Sequence, residues 1–310
     1  MAVFRSATTE SRGGEFRCLA SRPARGGSRR LRTVPAGRRA WRHPLTSFDP
    51  ALKGMHVYVS TDSLPDEFNG RRALVTGGSR GIGAAVAQRL LDGGARVVTS
   101  ARAATDDTPK GSAFIGGDLR SESGARQLVA QAVDALGGLD IVVNAAGASR
   151  VYLGGPATIP DHEWQDSIDV NFLSAVRVIN ASLPALQQSG ADAAIVNIST
   201  SATRNPQAPL LHYIAAKAAL ATYSKGLATA LAPAGIRVNV VSPGMVETPG
   251  GTEIVATIAD AMGAPLAALA GRIPLGRFGD PRDIAEAVAF LASNRGQWIT
   301  GAELDVTGGQ

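Results

Sequence analysis

The sequence is poor in cysteine, histidine and aromatic residues: it holds one Cys, Cys18, four His, and 5% Phe, Trp and Tyr in 310 residues. A single thiol excludes an internal disulfide framework, and no Cys/His cluster falls at zinc-ligand spacing. A reducing, cytoplasmic setting fits that usage. Long apolar runs are also missing. Charged residues, Gly or Pro interrupt every stretch before the roughly 18 consecutive apolar residues that span a bilayer, so no membrane partner is expected. Lysine is scarce as well, limited to Lys53, Lys110, Lys217 and Lys225, so arginine carries most of the formal charge of +5.

That charge is unevenly placed. Residues 1–64 hold eleven Arg and Lys53 against Glu10, Glu15, Asp49 and Asp62, a balance of +8, while the remainder carries −3. The basic character therefore belongs to the N-terminal segment, and the body offers no nucleic-acid surface. Up to about Gly54 the chain has neither helical nor strand periodicity, and stretches such as "SRPARGGSRRLRTVPAGRRAWRHP" bury too little apolar area to offset their ordering entropy. Three readings fit residues 1–64: an organellar transit peptide, a basic binding arm, or a disordered extension that follows a mis-assigned start. The third is favoured, because Met55 precedes the ordered pattern and an Arg-, Ala- and Gly-rich composition suits the upstream frame of a GC-rich genome.

From residue 65 onward the pattern reads as one domain. Apolar runs at 73–76, 95–100, 112–117, 139–147, 193–199 and 236–244 read as buried strands. Segments at 82–93, 122–136, 161–188, 210–232 and 281–293 have helical period, with Asp161 and Asp280-Pro281 as opening caps. Strand alternating with helix implies a single-domain, Rossmann-type, doubly wound parallel sheet with helices on both faces and a ligand site beyond the carboxyl ends of the strands.

The first strand runs directly into Thr76-Gly77-Gly78-Ser79-Arg80-Gly81-Ile82-Gly83 and then a helix. Gly77, Gly81 and Gly83 permit a tight turn that brings a pyrophosphate onto a helix N-terminus. With three residues between the first two motif glycines, the turn resembles that of the short-chain dehydrogenase/reductase family. Matches follow in order: Asp118 after the third strand, Asn144-Ala145-Ala146-Gly147 after the fourth, Asn171 in "DVN", Tyr213-Ile214-Ala215-Ala216-Lys217, and Pro243 to Thr248. The ending, "RIPLGRFGDPRDIAEAVAFLAS" and then "ITGAELDVTGG", resembles the compact branch that contains the 3-oxoacyl carrier-protein reductases. The resemblance extends from about residue 70 to 310.

The resemblance implies a nicotinamide-cofactor site formed by Gly77, Ser79, Arg80, Gly81, Ile82, Gly83, Arg102, Asp118, Leu119, Asn144, Ala145, Gly147, Tyr213, Lys217, Pro243, Gly244, Val246 and Thr248. NAD-preferring folds place an acidic residue at the end of the second strand. Here that position is Ser100, flanked by Arg80 and Arg102, whose guanidinium groups suit a 2′-phosphate. NADP(H) is therefore expected in preference to NAD(H).

Tyr213 and Lys217, four residues apart, share one helix face. Tyr213 is the expected general acid/base, with the Lys217 ammonium and the oxidised nicotinamide together expected to favour the phenolate and bring the phenol toward a working range. By resemblance, Lys217 also binds the nicotinamide ribose, and Asn171 interrupts its helix and holds a water that links Lys217 to solvent. The hydroxyl that polarises the substrate oxygen is assigned to Thr200, thirteen residues before Tyr213, with Ser199 and Ser201 as the flanking alternatives. His212 points off that face. The expected partner is a small carbonyl or alcohol substrate, covered by a lid at about 249–275. The expected activity is that of a ketoreductase; a secondary-alcohol, steroid or sugar dehydrogenase, and a non-catalytic NADP-binding sensor, are the alternatives. The resemblance also implies a homodimer or homotetramer.

Overall fold

The computed structural model describes residues 66–189 and 192–310, so the expectations for residues 1–64 lie outside the described residues. Seven parallel strands form one sheet in the order β3-β2-β1-β4-β5-β6-β7. They are β1 (Arg72–Thr76), β2 (Arg96–Ala101), β3 (Ala113–Gly116), β4 (Ile141–Asn144), β5 (Ala193–Ile198), β6 (Ile236–Pro243) and β7 (Glu303–Val306). The central strands are mostly apolar because both of their faces are covered. Ala73, Val75, Ile141, Val143, Ala194 and Val196 pack toward α1 (Gly81–Asp92) and α8 (Pro281–Ala292). Leu74, Val142 and Ile195 alternate to the opposite face, against α2 (Glu122–Leu136), α4 (Ser174–Gln187) and α5 (Leu211–Leu231). Full burial of a Leu or Ile side chain contributes about 1.5–3 kcal/mol, which fixes strand register and places every strand's carboxyl end on one edge.

The helix boundaries follow local chemistry. Ser121 caps α2 by accepting from the Gly124 N–H at 3.1 Å, and Gly137, at φ +77°, ends the helix in the left-handed region. Asp280 and Asp283 form a reciprocal capping box on α8, with Pro281 in its first turn. The cap expected of Asp161 is not made: α3 (Asp161–Ile168) begins at that residue, and its N-cap is Pro160, which has no side-chain acceptor.

The segment of helical period over 161–188 is three pieces, interrupted at Asn171 as the family resemblance implied. After α3 the chain makes a π turn, Asp169–Leu173, that carries Asn171, and then continues as α4. A wider turn of this kind costs hydrogen-bond geometry and clusters at functional positions. Beyond β6 come α6 (Pro249–Ala261) and the short α7 (Leu266–Ala270). Among the described residues no helix is long and apolar enough to cross a membrane, and no group of His, Cys, Asp and Glu could hold a metal ion.

Candidate active site

Strand order reverses between β1 and β4, where connections leave in opposite directions and open a crevice beyond the strand ends. The glycine turn occupies this crevice. Gly77 has φ +67°, and a methyl group on it would lie 2.7 Å from the Ala145 carbonyl oxygen and the Ala146 nitrogen. A methyl on Gly83 would lie 2.1 Å from the Gly77 carbonyl oxygen. These positions need glycine because backbone meets backbone there. Arg80 is the N-cap of α1 and makes no side-chain cap, and the first turn carries no acidic residue. The helix N–H groups thus remain open to an anion.

The remaining cofactor-site candidates surround this cradle. Ser79 is buried, and its carbonyl accepts from the Thr105 hydroxyl at 2.5 Å, which ties the β2–β3 loop to the turn. Ile82 and Ala145 are half-buried against the α1/α8 core, whereas Leu119 packs on the other face and its carbonyl accepts from Arg177. Arg80, Arg102 and Asp118 are exposed, and neither of these arginines has a carboxylate partner among the described residues. Ser100 is fully buried, with its Oγ unpaired. On the far side, Gly244 N–H donates to Val306 at 3.0 Å, and Val246 bridges Gly279. Thr248 caps α6 through Gly251, and a methyl on Gly81 would lie 3.2 Å from Thr248 Cγ2. The segment from Pro243 to Thr248 therefore abuts the glycine turn.

Tyr213 and Lys217 project from the first half of α5. Lys217 is 3% exposed, and its Nζ donates to the Ile198 carbonyl at 2.9 Å. Asn171, in the π turn, donates from Nδ2 to Ala148 O at 2.8 Å and accepts the Ala148 N–H at 3.1 Å. Gly147 lets these groups converge: a methyl on it would lie 3.2 Å from Asn171 Oδ1 and 3.6 Å from Lys217 Nζ. Thr200 accepts the Ala202 N–H at 3.3 Å and makes a hydrogen-bonding contact with the Tyr213 hydroxyl. That contact favours the phenolate, as a hydroxyl donating to the phenol oxygen does. The Ser199 hydroxyl turns away and donates to the Lys217 carbonyl at 3.2 Å. Ser201 begins a short 3₁₀ turn.

In the protein by itself, burial dominates the electrostatics. Burial pushes the Tyr213 phenol up to about 12, against a smaller opposing effect of Thr200, and burial pushes Lys217 down to about 8. Desolvation is the largest cause for both groups. At neutral pH the site therefore rests as neutral phenol beside ammonium.

Several participants carried no motif. Asn144 Nδ2 donates to Asn197 Oδ1 at 2.8 Å, and Asn197 Nδ2 donates to Ser224 Oγ at 2.8 Å, a buried chain that leaves Asn144 Oδ1 unpaired. An Asn within the apolar run "AAIVNIS" was the available signal for Asn197. Ser167 joins Asn171 Nδ2 at 3.1 Å, with no sequence signal at all. His212 is buried with both ring nitrogens unpaired, edge-on to Tyr152 and Trp164; burial lowers its pKa, so it is neutral. A groove of about 690 Å³ between α1 and α8 is lined by none of Asn171, Thr200, Tyr213 and Lys217.

The family model described as "Enoyl-(Acyl carrier protein) reductase" matches residues 77–310. The chain is 36% identical over 251 residues to an L-fucose dehydrogenase of Mus musculus, covering 78% of this chain and 89% of the relative. It is 35% identical over 249 residues to a 3-oxoacyl-acyl-carrier-protein reductase of Vibrio cholerae, covering 77% and 97%. Among solved structures, the aldohexose dehydrogenase of Thermoplasma acidophilum superposes with a TM-score of 0.70 at 27% identity, covering 79% of this chain and 95% of that one. A dehydrogenase/reductase from Sinorhizobium meliloti gives 0.68 at 35% identity, covering 78% and 95%.

Proposed function

The chain belongs to the short-chain dehydrogenase/reductase family and is an oxidoreductase acting on CH–OH or C=O groups; on that premise we propose that it is an NADP(H)-dependent ketoreductase in which Tyr213 is the proton donor. The observation that carries this reading is that Thr200 meets Tyr213 while, one turn along the same helix, buried Lys217 meets the Gly147–Asn171 contact.

When bound, the nicotinamide supplies the hydride that reduction requires. The residues that would hold it are the glycine turn, the open N-terminus of α1, Asn144 to Gly147, Lys217 and the segment from Pro243 to Thr248. Glycines whose Cβ would strike neighbouring backbone and an uncapped helix N-terminus suit a pyrophosphate. Arg80 and Arg102, without carboxylate partners and close to buried Ser100, favour a 2′-phosphate over a bare ribose. Thr200 donates a hydrogen bond to the substrate oxygen, where negative charge develops. Tyr213, a neutral phenol at neutral pH, gives its proton to that oxygen, and this resting state supports the reductive direction. The Lys217 ammonium stabilises the phenolate left behind.

The segment at 249–275 is proposed as the cover of the substrate, with the exposed Met262 and Leu266 suited to apolar groups. Assembly as a dimer or tetramer is part of the same reading. Similarity to the L-fucose and aldohexose dehydrogenases supports a second reading, a sugar dehydrogenase.

A panel of ketones and β-ketoacyl thioesters assayed with NADPH and NADH, and of aldoses assayed with NADP+ and NAD+, tests both. Turnover of ketones with NADPH, lost in Tyr213→Phe, is expected. Activity confined to sugars would favour the second reading. An unchanged NADPH preference in the Arg80→Ala/Arg102→Ala double variant would refute the 2′-phosphate assignment.

A further inference from the structure

Ser167 lies on the last turn of α3, is 5% exposed, and belongs to none of the motifs above. Its hydroxyl donates to the His212 carbonyl at 3.0 Å and accepts from Asn171 Nδ2 at 3.1 Å. The second Nδ2 hydrogen of Asn171 goes to Ala148 O, and Oδ1 takes the Ala148 N–H. Both donors of the carboxamide are therefore used, and a flipped amide would set N–H against N–H at Ala148. Two hydrogen-bonded arms follow from this. One clasps Ala148, next to the glycine that approaches Lys217 Nζ. The other reaches through Ser167 to the peptide immediately before Tyr213.

We propose that Ser167 is a positioning residue for the proton chemistry: it locks the Asn171 carboxamide and couples the π turn to the start of α5. The chain of contacts runs from the β4 loop through Asn171 and Ser167 to His212. Two otherwise independent features, a helix interruption and a Tyr-bearing helix, are thereby held in one geometry. Without the hydroxyl, one Asn171 N–H is left buried and unpaired, and the carboxamide gains freedom to rotate. The consequence falls on the alignment of Asn171, Lys217 and Tyr213, leaving the glycine turn and the N-terminus of α1 unaffected.

This proposal rests on the reading of Tyr213 and Lys217 given above. The test measures kcat and KM of the full chain with NADPH and the best substrate of the panel, from neutral to alkaline pH. It compares wild type, Ser167→Ala, Ser167→Thr, Asn171→Ala and the Ser167→Ala/Asn171→Ala double variant, with thermal melts of each. Ser167→Ala is expected to lower kcat about tenfold with the KM for NADPH unchanged, and to shift the alkaline limb of the kcat profile. Ser167→Thr keeps a hydroxyl and is expected to hold the wild-type profile. In the Asn171→Ala background Ser167→Ala should cost no further activity, because a residue acting through Asn171 has nothing left to position. Equal losses in both backgrounds, or an unchanged pH profile in Ser167→Ala, would overturn the proposal. Full activity in Tyr213→Phe would instead remove the reading on which it rests, whatever the Ser167 variants do.

Discussion

Replacing Lys217 by methionine is expected to abolish turnover and to stabilise the fold. The ammonium is 3% exposed, has no carboxylate partner among the described residues, and keeps one hydrogen bond, to the Ile198 carbonyl. Burial brings its pKa from 10.5 to about 8, a difference that costs the folded protein about 3 kcal/mol at neutral pH. Methionine fills similar space without charge. Loss of the Ile198 bond, with that carbonyl left unpaired, returns about 1–2 kcal/mol. The net gain is then about 1–2 kcal/mol, or roughly 5 °C in Tm for a domain of this size. The sign follows from proton counting. Between about pH 8 and pH 10.5 the unfolded chain binds the proton that the folded chain has released, so wild-type stability rises across that window. The variant's advantage should therefore be widest at neutral pH, vanish within that window and reverse on approaching pH 10.5, where the lost Ile198 hydrogen bond is what remains. Thermal melts of both proteins at intervals over this range check it. A variant that melts below wild type at neutral pH, or a gap that does not change with pH, would refute the reasoning.

Thr200→Val is expected to lower kcat about 10²–10³-fold, as loss of an oxyanion donor does, with Thr200→Ser retaining most activity. Ser199→Ala, whose hydroxyl faces the Lys217 carbonyl, should retain most activity too; a loss matching that of Thr200→Val in steady-state assays would move the role to Ser199. Asp140 accepts from the Arg72 backbone N–H, from its Nε and Nη2, and from Ser189, and is held at about 2. Its folded pKa lies below the ordinary 3.8, so its contribution of about 2 kcal/mol is present at neutral pH and lost as pH falls from about 4 to about 2. Arg72→Met should lower Tm at neutral pH and move acid unfolding to higher pH, followed by circular dichroism; an unchanged acid midpoint would show that the pair contributes nothing.

The sheet was legible because buried parallel strands read as short apolar runs and their order is fixed by a few connection rules. The expected span of α2 matches residue for residue, since a serine cap and a glycine stop bracket it. The interruption at Asn171 left no trace in the helical period, because an extra residue in one turn shifts the pattern by less than the scatter of apolar positions. The burial of Tyr213 was not legible for a related reason: charge sign is written in the sequence, whereas desolvation depends on everything packed around the ring.

By itself the sequence determined what is local: the glycine turn on its helix, the four-residue spacing of Tyr213 and Lys217, the cap at Asp280, and the strand ends that carry Asn144 and Pro243. Each rests on backbone geometry within a few residues. Tertiary structure decided what depends on distant segments meeting. It selected Thr200, over Ser199, as the hydroxyl that faces Tyr213, set Lys217 on the Ile198 carbonyl, joined Asn144 to Ser224 through Asn197, and hung Asn171 between Ala148 and Ser167. A hydroxyl or amide in a sequence can turn toward any neighbour, and only packing restricts it to one.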